Sequence, residues 1–163
     1  MIRKYKVIPW IPAVVWMILI FFLSAQPAVN SNDLSKGVTK IIVEIIGKIL
    51  PLNIEMSTAN DLVAQLNHFV RKFAHFFAYM ILGVLIAAAI LKNGIQGYKA
   101  FAFSLGVCFI YAASDEIHQL FVPGRGCQFK DVMIDSAGAF VGIAFHKILY
   151  HFKRNMLRHK LDL

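Results

Sequence analysis

The chain has 163 residues, of which 58% are hydrophobic, and it carries a formal net charge of +8. Soluble domains average roughly 45–50% apolar residues, so this composition predicts an integral membrane protein. We expect a single membrane domain over residues 1–163. The excess of Lys and Arg does not predict nucleic-acid binding, because the basic residues flank apolar segments and do not form a patch on a soluble fold.

Four apolar segments predict an all-α, multi-pass helical bundle with four transmembrane helices, over about residues 7–23, 73–91, 100–122 and 132–150. Each segment approaches the ~20 residues that a tilted helix needs to cross the hydrocarbon core. The first segment follows three basic residues and ends before Pro27, which cannot continue a helix. A cleaved signal peptide is the alternative for this segment, but the apolar run is long for a signal peptide.

Segment 28–60 connects the first two predicted spans. Within it, Asp33–Leu50 places a broad face of Leu, Val and Ile opposite Lys36, Lys40 and Glu44. This spacing predicts an amphipathic outer helix. Such a helix either lies on the outer membrane surface or folds as a lid over the spans.

Basic residues predict how the chain is oriented in the membrane. They precede the first span, they occur as Lys92 and Lys99 between the second and third spans, and they recur in the C-terminal tail. With four spans, these three regions share one side of the membrane. The positive-inside rule identifies that side as the cytoplasm, so we expect cytoplasmic N- and C-termini.

The third span carries the most informative residues. Ala100–Ser114 has no charge, but its 15 residues cover only about 22 Å, which is shorter than the roughly 30 Å hydrocarbon core. To cross the membrane, this helix must carry Asp115 and Glu116 into or against the bilayer. Charged groups at that depth are costly and usually functional.

Polar residues occur at helical spacing at the predicted outer ends of spans two, three and four. They are Arg71, His75, Tyr79, Asp115, Glu116, His118, Gln119, Asp131 and Asp135, with Arg125 in the loop between spans three and four. Gly138 and Gly142 allow close approach of another helix, which would bring span four near the others. Because an unpaired charge in hydrocarbon costs roughly 2.5–3.5 kcal/mol, we expect these groups to face a common interior. They form either a polar pocket open to the outside or a set of interfacial salt bridges that clamp the bundle.

These motifs resemble the VanZ-like family. The resemblance is carried by Arg71-Lys72-Phe73-Ala74-His75-Phe76 with Tyr79, by Asp115–Arg125, by Asp131, Gly138 and Gly142, and by Ser24 with Gln26. It extends from about Ile8 to Phe145. Two positions depart from the family pattern: Asp135 stands where Asn is common, and Cys127 stands where a small hydroxyl residue is common.

The resemblance implies a protein of the bacterial cell membrane. Family members are multi-pass membrane proteins, and the founding member is associated with low-level resistance to teicoplanin, a glycopeptide antibiotic with a lipid tail. The implied partners are therefore membrane lipids, a lipoglycopeptide or a cell-wall precursor lipid.

Our first functional hypothesis is a binding protein for an envelope lipid or a lipoglycopeptide. Arg71, Arg125 and His75 would donate to its polar or anionic group. The predicted ligand-binding residues are Arg71, His75, Tyr79, Asp115, Glu116, Gln119, Arg125, Asp131 and Asp135.

The alternative hypothesis is a membrane-embedded enzyme acting on an envelope lipid. Its predicted catalytic residues are Asp115 or Glu116 as general base and His75 or His118 as acid or base, with Arg125 stabilising charge. A metal held by His75, His118, Glu116 and Asp131 matches no recognised zinc spacing, so we predict no metal ligands. A transporter is disfavoured because four spans without an internal repeat are few for one. The sequence leaves the cofactor, the oligomeric state and the presence of catalysis open.

Overall fold

The computed structural model describes residues 6–27, 36–37, 41 and 56–159. A 3₁₀ turn over Ile8–Trp10 precedes four helices: α1 (Ile11–Ser24), α2 (Met56–Lys92), α3 (Gly97–Gln119) and α4 (Phe129–His159). No strand occurs in these ranges, which confirms the predicted all-α fold. The amphipathic helix predicted over Asp33–Leu50 lies outside the described residues, apart from the helical positions Lys36, Gly37 and Ile41.

Three helical segments are long and apolar enough to cross a membrane: Phe69–Lys92, Gly97–Gln119 and Phe129–Met156. They correspond to the second, third and fourth predicted spans, so the assignment as a multi-pass membrane protein is confirmed. The first predicted span is a shorter apolar helix, Ile8–Ser24. The 3 residues of its 3₁₀ turn and the 14 of α1 together lie at the lower limit of the roughly 17–25 residues that a spanning helix uses.

Hydrogen bonds at both ends show that α1 runs the length of the bundle. At one end, the Lys6 backbone N–H donates to Asn93 Oδ1 over 2.7 Å, in the turn between α2 and α3. At the other end, Ser24 Oγ donates to Asp115 Oδ2 over 2.9 Å, near the end of α3. Between them, Tyr111 Oη donates to the Met17 carbonyl oxygen over 2.6 Å. The four helices therefore alternate in direction, and we call the two ends of the bundle the Asn93 end and the Ser24 end.

Small residues let α2 and α4 approach closely. A Cβ atom added to Gly138 would overlap the Phe76 carbonyl oxygen, and one added to Gly142 would overlap the Met80 carbonyl oxygen. Close backbone approach of this kind is how membrane helices gain packing contacts when lipid supplies no hydrophobic driving force. The predicted role of these two glycines is confirmed, and the contact fixes the register of α2 against α4.

Large apolar side chains cover the outside of the bundle. Phe109, Ile110 and Phe140 lie within the apolar spans and are 44%, 70% and 50% exposed. In water such a surface would be unfavourable by roughly 25 cal/mol per Å² of apolar area. Against lipid tails it carries no such penalty, which agrees with the membrane assignment.

Gly142→Ala tests the close contact between α2 and α4. We expect it to destabilise the folded protein by about 1–3 kcal/mol, because the new methyl group overlaps a backbone carbonyl that cannot rotate away. The measurement is the apparent melting temperature of detergent-solubilised protein, followed by size-exclusion chromatography after heating.

The matched control is Gly106→Ala in α3, where an added Cβ meets nothing within 4 Å. Since alanine favours helix by up to about 1 kcal/mol over glycine, this variant should be unchanged or slightly stabilised. Equal melting temperatures for the two variants would contradict the proposed contact.

Candidate functional site

Polar side chains from three helices enclose a cavity of about 140 Å³ at the Ser24 end of the bundle. The lining residues are Arg71, Lys72, His75, Glu116, Gln119, Gly124, Arg125, Gly126, Gln128, Asp131, Ile134 and Asp135. Seven of the nine predicted ligand-binding residues are in this lining. The other two, Tyr79 and Asp115, are buried at 0% and 2% exposure and are outside it.

Asp115 is held in place by a hydrogen-bond network that joins α1 to α3. Its Oδ2 atom accepts from Ser24 Oγ at 2.9 Å and from Gln119 Nε2 at 3.2 Å. Gln119 Nε2 also donates to Ser24 Oγ at 2.8 Å. Because these three residues are almost fully buried, the network supplies polar partners that water would otherwise provide. The sequence indicates Ser24 as a site residue only through the family resemblance. Its partner on α3, Asp115, cannot be read from residue spacing.

Glu116 fixes the loop that carries Arg125. Glu116 is 2% exposed, and its Oε2 atom accepts from the backbone N–H of Gln128 at 2.9 Å. Gly124 adopts a φ of 76°, which only glycine enters readily, and this turns the chain between α3 and α4. The Glu116 carboxylate therefore holds the backbone of the loop at the rim of the cavity.

Lys72 pairs with Asp131 across the cavity. Lys72 Nζ lies 2.6 Å from Asp131 Oδ1, and their side chains are 22% and 30% exposed. A partly exposed pair of this kind contributes about 0–1 kcal/mol, so it serves mainly to position α2 against α4. Lys72 lies outside the i, i+4 stripe that begins at Arg71, so helical spacing does not predict it as a site residue.

Two guanidinium groups line the same cavity wall. Burial, together with the positive charge of Arg71, lowers the pKa of Arg125 from its ordinary value. Arg125 Nε is buried and has no acceptor among the described residues. A pair of arginines around one cavity, with a buried donor left over, suits a planar or tetrahedral anion such as a carboxylate or phosphate.

A second cluster lies on the bundle side of the cavity. One atom each from His75, Asp115 and Asp135 lie within 4.8 Å of one another, and His75 Nδ1 is 3.7 Å from Asp135 Oδ2. These three residues can contact a single metal ion. They are not the set considered from the sequence, which combined His75 with His118, Glu116 and Asp131.

His118 is placed differently from the predicted catalytic role. Its ring stacks on Phe21 of α1, with centroids 4.5 Å apart and planes inclined by 32°. His118 is also outside the cavity lining found in the described part of the chain. Of the four predicted catalytic residues, His75 and Glu116 line the cavity, Asp115 is buried beside His75, and His118 packs against α1.

The fold and this site define a multi-pass helical membrane protein with a charged cavity at one end of its bundle. A family model described as VanZ/LLP1 matches residues 9–150, and the chain belongs to this family. The resemblance seen in the sequence is thereby confirmed. No curated protein and no solved structure gives a significant match to the chain.

Ser24→Ala tests the network around Asp115. Loss of the hydroxyl leaves a buried carboxylate with one weaker donor, so we expect the free energy of unfolding to fall by about 1–3 kcal/mol. The measurement is again the apparent melting temperature in detergent.

Ser114→Ala is the matched control, since Ser114 is exposed and donates only to the Tyr111 carbonyl of its own helix. We expect a change within about 0.5 kcal/mol for it. A Ser24→Ala protein as stable as Ser114→Ala would show that Asp115 does not depend on α1.

Proposed function

We propose that the protein binds the anionic head group of a cell-envelope lipid in the cavity at the Ser24 end. The observation that carries the proposal is the pair of arginines on the cavity wall, with Arg125 Nε buried and lacking an acceptor among the described residues. A buried donor without a partner is costly, and a phosphate or carboxylate oxygen would satisfy it.

The surroundings of the cavity favour a ligand with an acyl chain. Phe121 and Phe129, which flank the loop of Gly124 and Arg125 in the sequence, are 80% and 71% exposed, and Leu120 is 57% exposed. Apolar side chains at this level would contact the lipid tail while the arginines hold the head group. The cavity itself is small and polar, so specificity in this proposal comes from the head group.

We further propose that the Ser24 end faces away from the cytoplasm. The Asn93 end carries Lys92 at the end of α2, Lys99 in the first turn of α3, and Lys153 and Arg154 in the last turns of α4. Under the positive-inside rule this end is cytoplasmic, together with both termini. The cavity would then be open to envelope lipids and to compounds that arrive from outside a bacterial cell.

Phosphatidylglycerol binding tests the head-group proposal. Arg125→Gln removes one guanidinium group, and a charge-assisted hydrogen bond contributes about 1.5–3 kcal/mol, so we expect affinity to fall about tenfold or more. Native mass spectrometry of the full chain in detergent, titrated with phosphatidylglycerol and with zwitterionic phosphatidylcholine, measures the bound lipid.

Lys130→Gln is the matched control, because it removes the same charge from an exposed residue at the same end that is not in the cavity lining. We expect it to retain phosphatidylglycerol. Equal losses in the two variants, or equal binding of both lipids by the wild type, would refute recognition at this cavity.

The family resemblance extends the proposal to teicoplanin, whose lipid tail would contact the same apolar side chains around the cavity. We expect a susceptible Gram-positive host expressing the wild type to show a severalfold higher minimum inhibitory concentration, and Arg125→Gln to lose this gain at equal membrane level. Lys130→Gln should retain it. An unchanged inhibitory concentration with well-expressed wild type would separate this chain from glycopeptide resistance and leave the lipid proposal intact.

An enzyme acting on the bound lipid is the second candidate. The observation that favours it is the position of His75, which lines the cavity and also lies beside the buried carboxylate of Asp135. This arrangement is suited to a general base whose orientation is fixed by a carboxylate. Turnover of the lipid in the same samples, abolished by His75→Gln, would favour the enzyme over simple binding.

A further inference from the structure

We propose that His75, Asp115 and Asp135 form a binding site for one divalent transition-metal cation, between the cavity and the bundle interior. The three residues come from α2, α3 and α4, and their ligating atoms lie within 4.8 Å of one another. Around a tetrahedral Zn²⁺ ion, with bonds of ~2.0–2.2 Å, two ligand atoms are about 3.3–3.6 Å apart. Side-chain movements of about 1 Å would therefore bring the three atoms to ligating distance of one ion.

Unsatisfied oxygen atoms point to a missing partner at this position. Asp135 is 0% exposed, and its nearest charged neighbour is His75, whose Nδ1 lies 3.7 Å from Oδ2, too far for a hydrogen bond; neither carboxylate oxygen has a hydrogen-bond partner among the described residues. Asp115 Oδ1 and the Tyr79 hydroxyl are likewise buried without a hydrogen-bond partner among the described residues. Buried polar groups are nearly always paired, and three of these four atoms belong to the two carboxylates of the cluster itself. A cation that binds both carboxylates supplies the missing contacts.

The charge of the cluster also favours a cation. Two carboxylates that are 2% and 0% exposed lie close together at the end of apolar spans. Removing such charges from water costs several kcal/mol per ion unless opposite charge and further contacts compensate. A divalent ion offsets both negative charges, whereas the His75 ring can offset one at most.

The hydrogen bonds around Asp115 leave a ligating atom available. Ser24 and Gln119 both donate to Oδ2, which holds the carboxylate and leaves Oδ1 without a partner in the described structure. Metal-binding carboxylates are commonly held by hydrogen bonds in this manner. His75 is 26% exposed and lines the cavity, so an ion can enter from there and keep open coordination positions.

The ligand types narrow the choice of metal. Carboxylates suit Mg²⁺, Ca²⁺ and Mn²⁺, whereas imidazole suits Zn²⁺, Cu²⁺, Fe²⁺ and Ni²⁺. A site with one imidazole and two carboxylates therefore fits Zn²⁺, Mn²⁺ or Fe²⁺. The proposal does not rest on lipid binding, because none of the three ligands is one of the arginines.

The test is metal stoichiometry of the full chain in detergent. Protein is stripped with a chelator, dialysed against Zn²⁺ or Mn²⁺, desalted and analysed by inductively coupled plasma mass spectrometry. We expect about one ion per wild-type chain, and at least tenfold weaker binding for the isosteric variants Asp115→Asn and Asp135→Asn and for His75→Gln. Added metal should also raise the melting temperature of the wild type and not that of the variants.

Two matched controls separate this site from surface binding. Asp131→Asn changes a carboxylate one turn before Asp135 that is paired with Lys72, and His151→Gln changes an exposed histidine near the Asn93 end. Both should keep the metal. Less than about 0.1 ion per wild-type chain, or equal loss in the controls, would overturn the proposal. Arg125→Gln should retain the metal and lose the lipid. The metal proposal and the lipid proposal can therefore be refuted independently of each other.

Discussion

The close contact of α2 with α4 determines where every charged group of the site lies. Gly138 and Gly142 bring the α4 backbone against the carbonyl oxygens of Phe76 and Met80. With that register set, α2 residues that precede Phe76 face α4 residues that precede Gly138. Lys72 thus meets Asp131, and His75 meets Asp135. A bundle held apart by larger residues would not bring these pairs together.

A second constraint follows from the short apolar stretch of α3. The helix reaches the Ser24 end with Asp115 and Glu116 still inside the bundle, both 2% exposed. The structure compensates for one through Ser24 and Gln119 and for the other through the Gln128 backbone. Two adjacent carboxylates therefore have different surroundings: Asp115 faces α1 and the buried cluster, and Glu116 anchors the rim of the cavity.

Much of this architecture follows from the sequence, because periodicity within one helix is a strong signal. The apolar runs predict the spans, and i, i+4 spacing predicts that Arg71 and His75 share one face of α2. The two glycines likewise predict a close helix contact. Seven of the nine predicted binding residues line one cavity for these reasons.

Residue spacing within one helix does not show which side chains meet between helices. The parts of the site that depend on contacts between helices therefore could not be predicted. Neither the Lys72–Asp131 pair nor the cluster of His75, Asp115 and Asp135 has a sequence motif, since each member comes from a different helix. The rotation of α3 about its axis packs the His118 ring against Phe21 and outside the cavity, whereas Gln119, the next residue, both lines the cavity and donates to Ser24. Periodicity alone assigns both residues to the polar end without choosing between the two directions.

The order of the partners along the chain has a consequence for biogenesis. Ser24 precedes Asp115 by 91 residues, Lys72 precedes Asp131 by 59, and His75 likewise precedes Asp135. If the helices enter the membrane in chain order, the hydroxyl or basic residue of each pair enters first, and the acid follows on a later helix. Since an unpaired acid is costly in the bilayer, this order would let Asp115, Asp131 and Asp135 enter after their partners on α1 and α2. In that order of insertion, α3 and α4 would dock onto helices that already hold the partner side chains.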